Sequence, residues 1–309
     1  MVSDVGMRTE QFPALGPDDH GLATAGARTI AQETITAWTQ FLEIADGVDI
    51  DAPSRVKQTS ARAIITRVGS WPQSRQLPQI IADAQAGRVG RIDQDEIDDR
   101  AIKINSGRPK QDLMDAVALS RDSLSNWLAG RIAGVPSFDD YALKPVGTPL
   151  GSLPLVTYMH AGAFQLAVSA RDLQPDAGLV PDTLLIVGLR ALVDTTGALA
   201  ARMHIDSKFA VVTPTVSVFT ATGSDSWITA NVDSTLGREA AGVEGDIGKV
   251  LDVASGRKNP LRGLGRREIT VRDVPAMLRL APIAQDNPGL PGGALLRKTA
   301  SWLSYLQRK

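Results

Sequence analysis

The spacing of the apolar residues changes partway along this chain, and that change limits its fold more than any single motif does. From Arg28 to Ala45, residues Ile30, Ala37, Trp38, Phe41, Leu42 and Ala45 recur three or four positions apart, as one buried face of a helix requires. Gly47 then supplies a stop. The same spacing predicts a second helix over 55–70, closed by Gly69 and by Pro72. It predicts shorter pieces over 77–86 and 95–104 and a long helix over 109–130 that opens on proline. A last long one over 153–173 stops before Pro175. Four long amphipathic helices in about 150 residues predict a helical bundle. The intervening stretch 133–151, rich in Pro and Gly and carrying Tyr141, Lys144 and Thr148, reads as a long ordered loop.

Beyond Gly178 the period changes. Residues 184–201 are apolar at helical spacing, but 209–222 is rich in Val, Thr and Phe with period two. A turn at Ser224 and Asp225 leads into a second strand-like run over 227–232, so a hairpin is predicted. A short helix over 246–254, a strand over 267–271 and a terminal helix over 294–306 complete a mixed α/β region. The expected organisation is an N-terminal tail over 1–25, a helical bundle over 26–176 and a smaller α/β domain over 184–309, joined by LQPDAGLVPD near 175–183. In that domain Phe209, Val211, Val216, Val218 and Trp227 are expected to line a sheet covered by the helix that carries Leu295, Trp302 and Leu306. A chain of 309 residues with 43% hydrophobic content can build two cores.

Charge and composition exclude several functions. The formal net charge is -1, from 33 basic and 34 acidic residues, so no global field steers the chain to nucleic acid or to an anionic membrane. No stretch reaches the roughly 18 to 20 uninterrupted apolar residues of a membrane span. The opening MVSDVGMRTEQFPALG lacks the basic and apolar regions of a signal peptide. There is no cysteine, which removes disulfides and thiolate chemistry together and fits a reducing compartment. A cytoplasmic protein with no nucleic-acid or membrane partner is the expectation.

Metal and cofactor motifs are also missing. The three histidines, His20, His160 and His204, show no H-x-x-x-H spacing, and no Walker A, G-x-S-x-G or G-x-G-x-x-G motif occurs. The acidic run Asp93, Asp95, Glu96, Asp98 and Asp99 lacks the glycine and terminal glutamate of a calcium loop, and reads as a solvated helix face. Lys258, Arg262, Arg266, Arg267 and Arg272 read as a modest basic surface.

Two stretches carry a resemblance: SARAIITRVGSWP at 60–72 and TPLGSLPLVTYMHAGAFQLAVSARDL at 148–173. They resemble the mycothiol-dependent maleylpyruvate isomerase family, within the DinB-like superfamily of four-helix bundles that hold a divalent metal. The segments FTATGSDSWIT at 219–229 and ASGR at 254–257 look like that family's C-terminal α/β domain, which resembles a sterol-carrier fold. The resemblance implies a metal held by a histidine late in the second helix and a Glu-x-x-x-His pair in the fourth, because residues four apart share a helical face. It carries those positions onto Arg67, Gln165 and Ser169.

None of the three is a zinc ligand of the usual kind, since a guanidinium cannot coordinate a metal and amide and hydroxyl oxygens are weak donors. The expectation is a degenerate metal site. In it Arg67 stands in for the cation, bonds Gln165 and Ser169, and has Asp172 or Glu43 as its carboxylate.

Three functions follow. The first is a non-catalytic protein that binds an unidentified small molecule or protein, with no cofactor. The second is a thiol-dependent isomerase or transferase using a displaced site, with Tyr158, His160 and Asp172 as polar participants; zinc or mycothiol belongs to this reading. The third is a homo-oligomer built through bundle faces.

Overall fold

The computed structural model describes residues 11–57, 59–70, 77–87, 94–148, 150–174 and 179–286. Among these, residues 26–191 form one compact unit, and residues 11–25 together with 192–286 form the other.

The first unit is helical. It contains α1 (Leu22–Asp46, from Gly26 onward), α2 (Ala61–Ser70), α3 (Leu77–Gln85), α4 (Gln94–Ile104), α5 (Lys110–Leu128), the short α6 (Phe138–Tyr141) and α7 (Leu155–Leu173). The first half of α8 (Asp182–Arg202) completes it. Apolar residues picked out by spacing lie in its core: Ile30, Ala37, Trp38, Phe41 and Ala45 are all essentially inaccessible, as are Ile65, Val117, Leu124 and Leu166 of the other helices. Gly188 brings α8 against α7, since a Cβ there would lie 2.5 Å from Ala167 Cβ.

Helix α2 starts six residues later than its spacing suggests. Pro53 and Ser60 form a bridge, and the Arg55 backbone N–H donates to Asp172 O instead of entering a helix. The stretch read as a long ordered loop over 133–151 contains regular elements. Ser137 caps α6 through Asp140, and β1 (Pro145–Thr148) pairs antiparallel with β2 (Gly151–Pro154).

The second unit holds a five-stranded sheet. Its strands are β3 (Ser207–Val212), β4 (Ser217–Thr222), β5 (Trp227–Val232), β6 (Ala241–Gly245) and β7 (Ile269–Arg272), in the order β5-β4-β3-β6-β7, with β3 and β6 parallel and the other pairs antiparallel. The stretch 209–222 is therefore two strands. Pro214 has no N–H for the ladder, and Thr213 closes the turn with backbone and side-chain bonds to Val216. The helices α9 (Ser234–Glu239), α10 (Ile247–Ala254), α11 (Pro260–Gly265), α12 (Val274–Leu278) and α13 (Ala281–Asp286) surround the sheet in sequence.

Phe209, Val211, Val216, Val218 and Trp227 are buried, as expected of sheet residues. The helix expected over 294–306 lies outside the described residues. A buried cluster of Ala210, Phe219, Ala221 and Val232 is packed by Phe12, Ile228, Leu236 and Ala240. Residues 11–25, read from sequence as part of a tail, thus belong to this unit. Gly21 N–H donates to Trp227 O, Trp227 N–H donates to Asp19 O, and Asp194 accepts from both Leu22 N–H and Trp227 Nε1.

Helix α8 is long and apolar enough to cross a membrane by length and composition, which a search for uninterrupted apolar runs passes over. Its apolar window is 72% buried within the protein, and its charged residues Arg190 and Asp194 are bonded to other side chains, as in a core helix.

Candidate functional site

Helix α7 carries several buried polar groups. Gln165 and Ser169 lie one turn apart on it, and Gln165 Nε2 donates to Ser169 Oγ at 3.2 Å. Ser169 is buried, and Gln165 Oε1 has no hydrogen-bond partner among the described residues.

Arg67, near the end of α2, pairs with Asp98 at 3.4 Å, and Ser70 Oγ donates to the same carboxylate at 2.8 Å. Asp172, fully buried, is held by Arg55 at 3.2 Å, while Glu43 is exposed. The carboxylate beside Arg67 is therefore Asp98 from α4, in place of the expected Asp172 or Glu43. The acidic run around Asp98 is correspondingly not all solvated, since Asp98 is only 7% exposed. Helical spacing gave no signal for this pairing, because nothing local tells which neighbouring helix turns an acidic residue inward. The one clue was Asp98 falling where a helix over 95–104 must touch the bundle.

These groups do not fit a divalent metal. Arg67 brings a permanent positive charge, and Gln165 and Ser169 offer only neutral oxygens. No three His, Cys, Asp or Glu side chains come together among the described residues.

Helix α7 also carries His160, which is fully buried. Its Nδ1 lies 3.0 Å from Thr34 Oγ1 of α1, and its Nε2 has no hydrogen-bond partner among the described residues. Arg190 of α8 bonds Glu33, and its charge acts on the imidazole. Burial, aided by that guanidinium, pushes the His160 pKa down to about 3, so the ring is neutral at physiological pH. Tyr158 is buried as well. The three polar participants expected from sequence thus divide, with His160 joined to Thr34 on one side and Asp172 joined to Arg55 on the other.

A groove opens between α2, α4 and α5, with a volume of about 320 Å³. Thr66, Gly69 and Ser70 come from α2, and Ala101, Ile104 and Asn105 from α4. Arg108 precedes α5, which adds Asp112, Leu113 and Ala116. Sequence reasoning missed this groove entirely. Its signal was Ile104, an apolar residue at the end of a strongly charged helix, which is 63% exposed here.

Compared by sequence, the chain matches no protein-family description and no curated protein. Compared by structure, it aligns with a histidine-to-alanine variant of mycothiol-dependent maleylpyruvate isomerase over 83% of this chain and 98% of that one, with a TM-score of 0.51 and 15% identity. The chain has the fold of that isomerase. A second structure of mycothiol-dependent maleylpyruvate isomerase aligns over 77% of this chain and 92% of its own, at 16% identity and a TM-score of 0.49. The isomerase fold accounts for a helix-rich part followed by a sheet-containing C-terminal part. At this identity the likeness concerns architecture, and the chemistry rests on the residues described above.

Proposed function

We propose that this chain is a non-catalytic ligand-binding protein built on the maleylpyruvate isomerase fold. The observation that carries the reading is the Arg67–Asp98 ion pair, with Ser70 on the same carboxylate, at the helix position to which the resemblance assigns a metal-binding imidazole. A guanidinium neutralised by a carboxylate supplies neither a Lewis acid nor an activated water. The groove beside it, lined by the same helix, has the size of a small-molecule site and is where the ligand binds in this reading. A cytoplasmic location, with no membrane or nucleic-acid partner, belongs to the same proposal.

Metal analysis of untagged full-length protein tests it directly. The expected result is substoichiometric zinc and nickel, together with no turnover of maleylpyruvate in the presence of mycothiol. One equivalent of either metal, or measurable turnover, would overturn the proposal in favour of a thiol-dependent isomerase or transferase. Light scattering addresses the oligomer: a monomer at all concentrations removes the reading in which bundle faces build a homo-oligomer.

A further inference from the structure

The groove between α2, α4 and α5 has a distribution of groups that selects among ligands, and this inference rests on the binding reading given above. Its walls include Ala101, Leu113, Ala116 and the exposed Ile104, an apolar surface that a ligand body would cover. Among the described residues, the charged groups lining it are Arg108 and Asp112, whose closest approach is 4.0 Å and whose side chains are 56% and 46% exposed. That separation is too long for a hydrogen bond, so each group keeps its bonding capacity for a third party. Asn105 adds an acceptor, because its Nδ2 is committed to Ala101 O and its Oδ1 remains available.

A cationic donor and two acceptors in a groove that also has apolar walls match a head that carries both charges. A lone carboxylate would meet Asp112 as well as Arg108, and a lone amine would meet Arg108 as well as Asp112. A head with an ammonium and a carboxylate on adjacent atoms replaces one long ion pair with two short charge-assisted contacts. We propose that this groove binds a small zwitterion of the α-amino acid type, its carboxylate on Arg108, its ammonium on Asp112 and Asn105, and its apolar side chain against Ile104 and Leu113.

The test compares three probes on the full-length protein by saturation-transfer NMR and calorimetry: L-phenylalanine, 3-phenylpropionate and 2-phenylethylamine. They share an aromatic body and differ only in which charges they carry. The expected result is that phenylalanine binds at least about tenfold more tightly than either single-charge probe, and that Arg108→Gln and Asp112→Asn each weaken it by about tenfold. Ala101→Phe, which fills the groove, should abolish binding.

Equal binding of phenylalanine and phenylpropionate, lost in Ala101→Phe, would overturn the zwitterion assignment and leave the binding function standing. Absence of binding by all three probes would overturn the assignment too, and the metal and turnover assays then decide the broader reading separately. The probe comparison uses the unaltered chain, so it does not depend on any variant folding.

Discussion

The Thr34 hydroxyl lies 3.0 Å from His160 Nδ1 and 2.7 Å from Ile30 O. With its single proton given to Ile30 O, the hydroxyl accepts from the ring, which makes Nδ1 the donor and leaves Nε2 a bare acceptor inside the bundle. Nitrogen-15 NMR at neutral pH should find the Nδ1–H tautomer for this residue. A dominant Nε2–H form would mean that the Thr34 proton points elsewhere.

The same ring makes stability depend on pH. The pKa of His160 in the folded chain, about 3, lies below its ordinary 6.5, so between those values the unfolded chain binds the extra proton. The contribution is therefore fully present above about pH 6.5 and is lost as pH falls toward 3. Between pH 7 and pH 4.5 it amounts to about 2 to 3 kcal/mol. Arg190, whose charge acts on the ring, and its partner Glu33 belong to the same cluster. Urea melts at the two pH values should show His160→Leu losing less stability on acidification than the unaltered chain, whatever its starting stability. Equal losses would rule out this residue as the source.

Two glycines with similar backbone angles should respond very differently to alanine. Gly21 has φ +61°, and a Cβ there would fall 2.0 Å from both Asp194 Oδ1 and Trp227 Nε1; Gly130 has φ +67° and nothing within 4 Å. Gly130→Ala should cost only the left-handed backbone penalty, about 1 kcal/mol. Gly21→Ala adds a displaced buried hydrogen bond and should cost about 3 kcal/mol or more. Comparable melting midpoints for the two variants would contradict the packing of residues 19–22 against the sheet.

Of the Arg67–Asp98 pair, the carboxylate is the more deeply placed, with side-chain exposures of 36% and 10%. Asp98→Ala leaves the guanidinium without its carboxylate and the Ser70 hydroxyl with Arg67 O as its acceptor, and should destabilise the fold by about 2 kcal/mol, whereas Arg67→Ala should cost about 1 kcal/mol or less. Chemical denaturation of the two variants checks the order, and the reverse order would show that the arginine, not the carboxylate, organises this corner.

Restoring ligands offers a further check on the metal positions. Gln165 and Ser169 already touch across one helical turn, so Gln165→Glu with Ser169→His presents a carboxylate and an imidazole on one face. With Arg67→His added, the triple variant should bind zinc in competition with a chromophoric chelator, and Arg67→His alone should not. A folded triple variant no better than the original chain would mean that these three residues do not surround one point.

The sequence made the bundle legible because helical periodicity repeats over many turns: Ile30, Trp38 and Phe41 were placed on one buried face by spacing and are buried there. It was weaker wherever one or two residues decide. The turn at 213–216 was hidden inside a continuous run of strand-forming residues, and only Pro214 marked it. The α6 cap was written as Ser137 and Asp140 three residues apart, a signal outweighed by the Pro and Gly around it. At the site, Arg67, His160 and Asp172 can be read from the sequence as polar residues of α2 and α7, but their partners Asp98, Thr34 and Arg190 come from other helices and Arg55 from the segment before α2. Tertiary pairing of this kind leaves no trace in local spacing.

Leu22 and Asp194, hydrogen-bonded in the sheet-containing unit, stand 172 positions apart, and the whole bundle is spelled out between them. Topologically the bundle is thus an insert, and the unit that encloses it in sequence begins before the bundle and finishes after it. On a translating ribosome making about 5 to 20 residues per second, the N-terminal segment would wait roughly 10 to 30 s for its partners to emerge. During that interval the bundle can fold first, while Gly21 and its neighbours remain without the tryptophan and aspartate that later hold them.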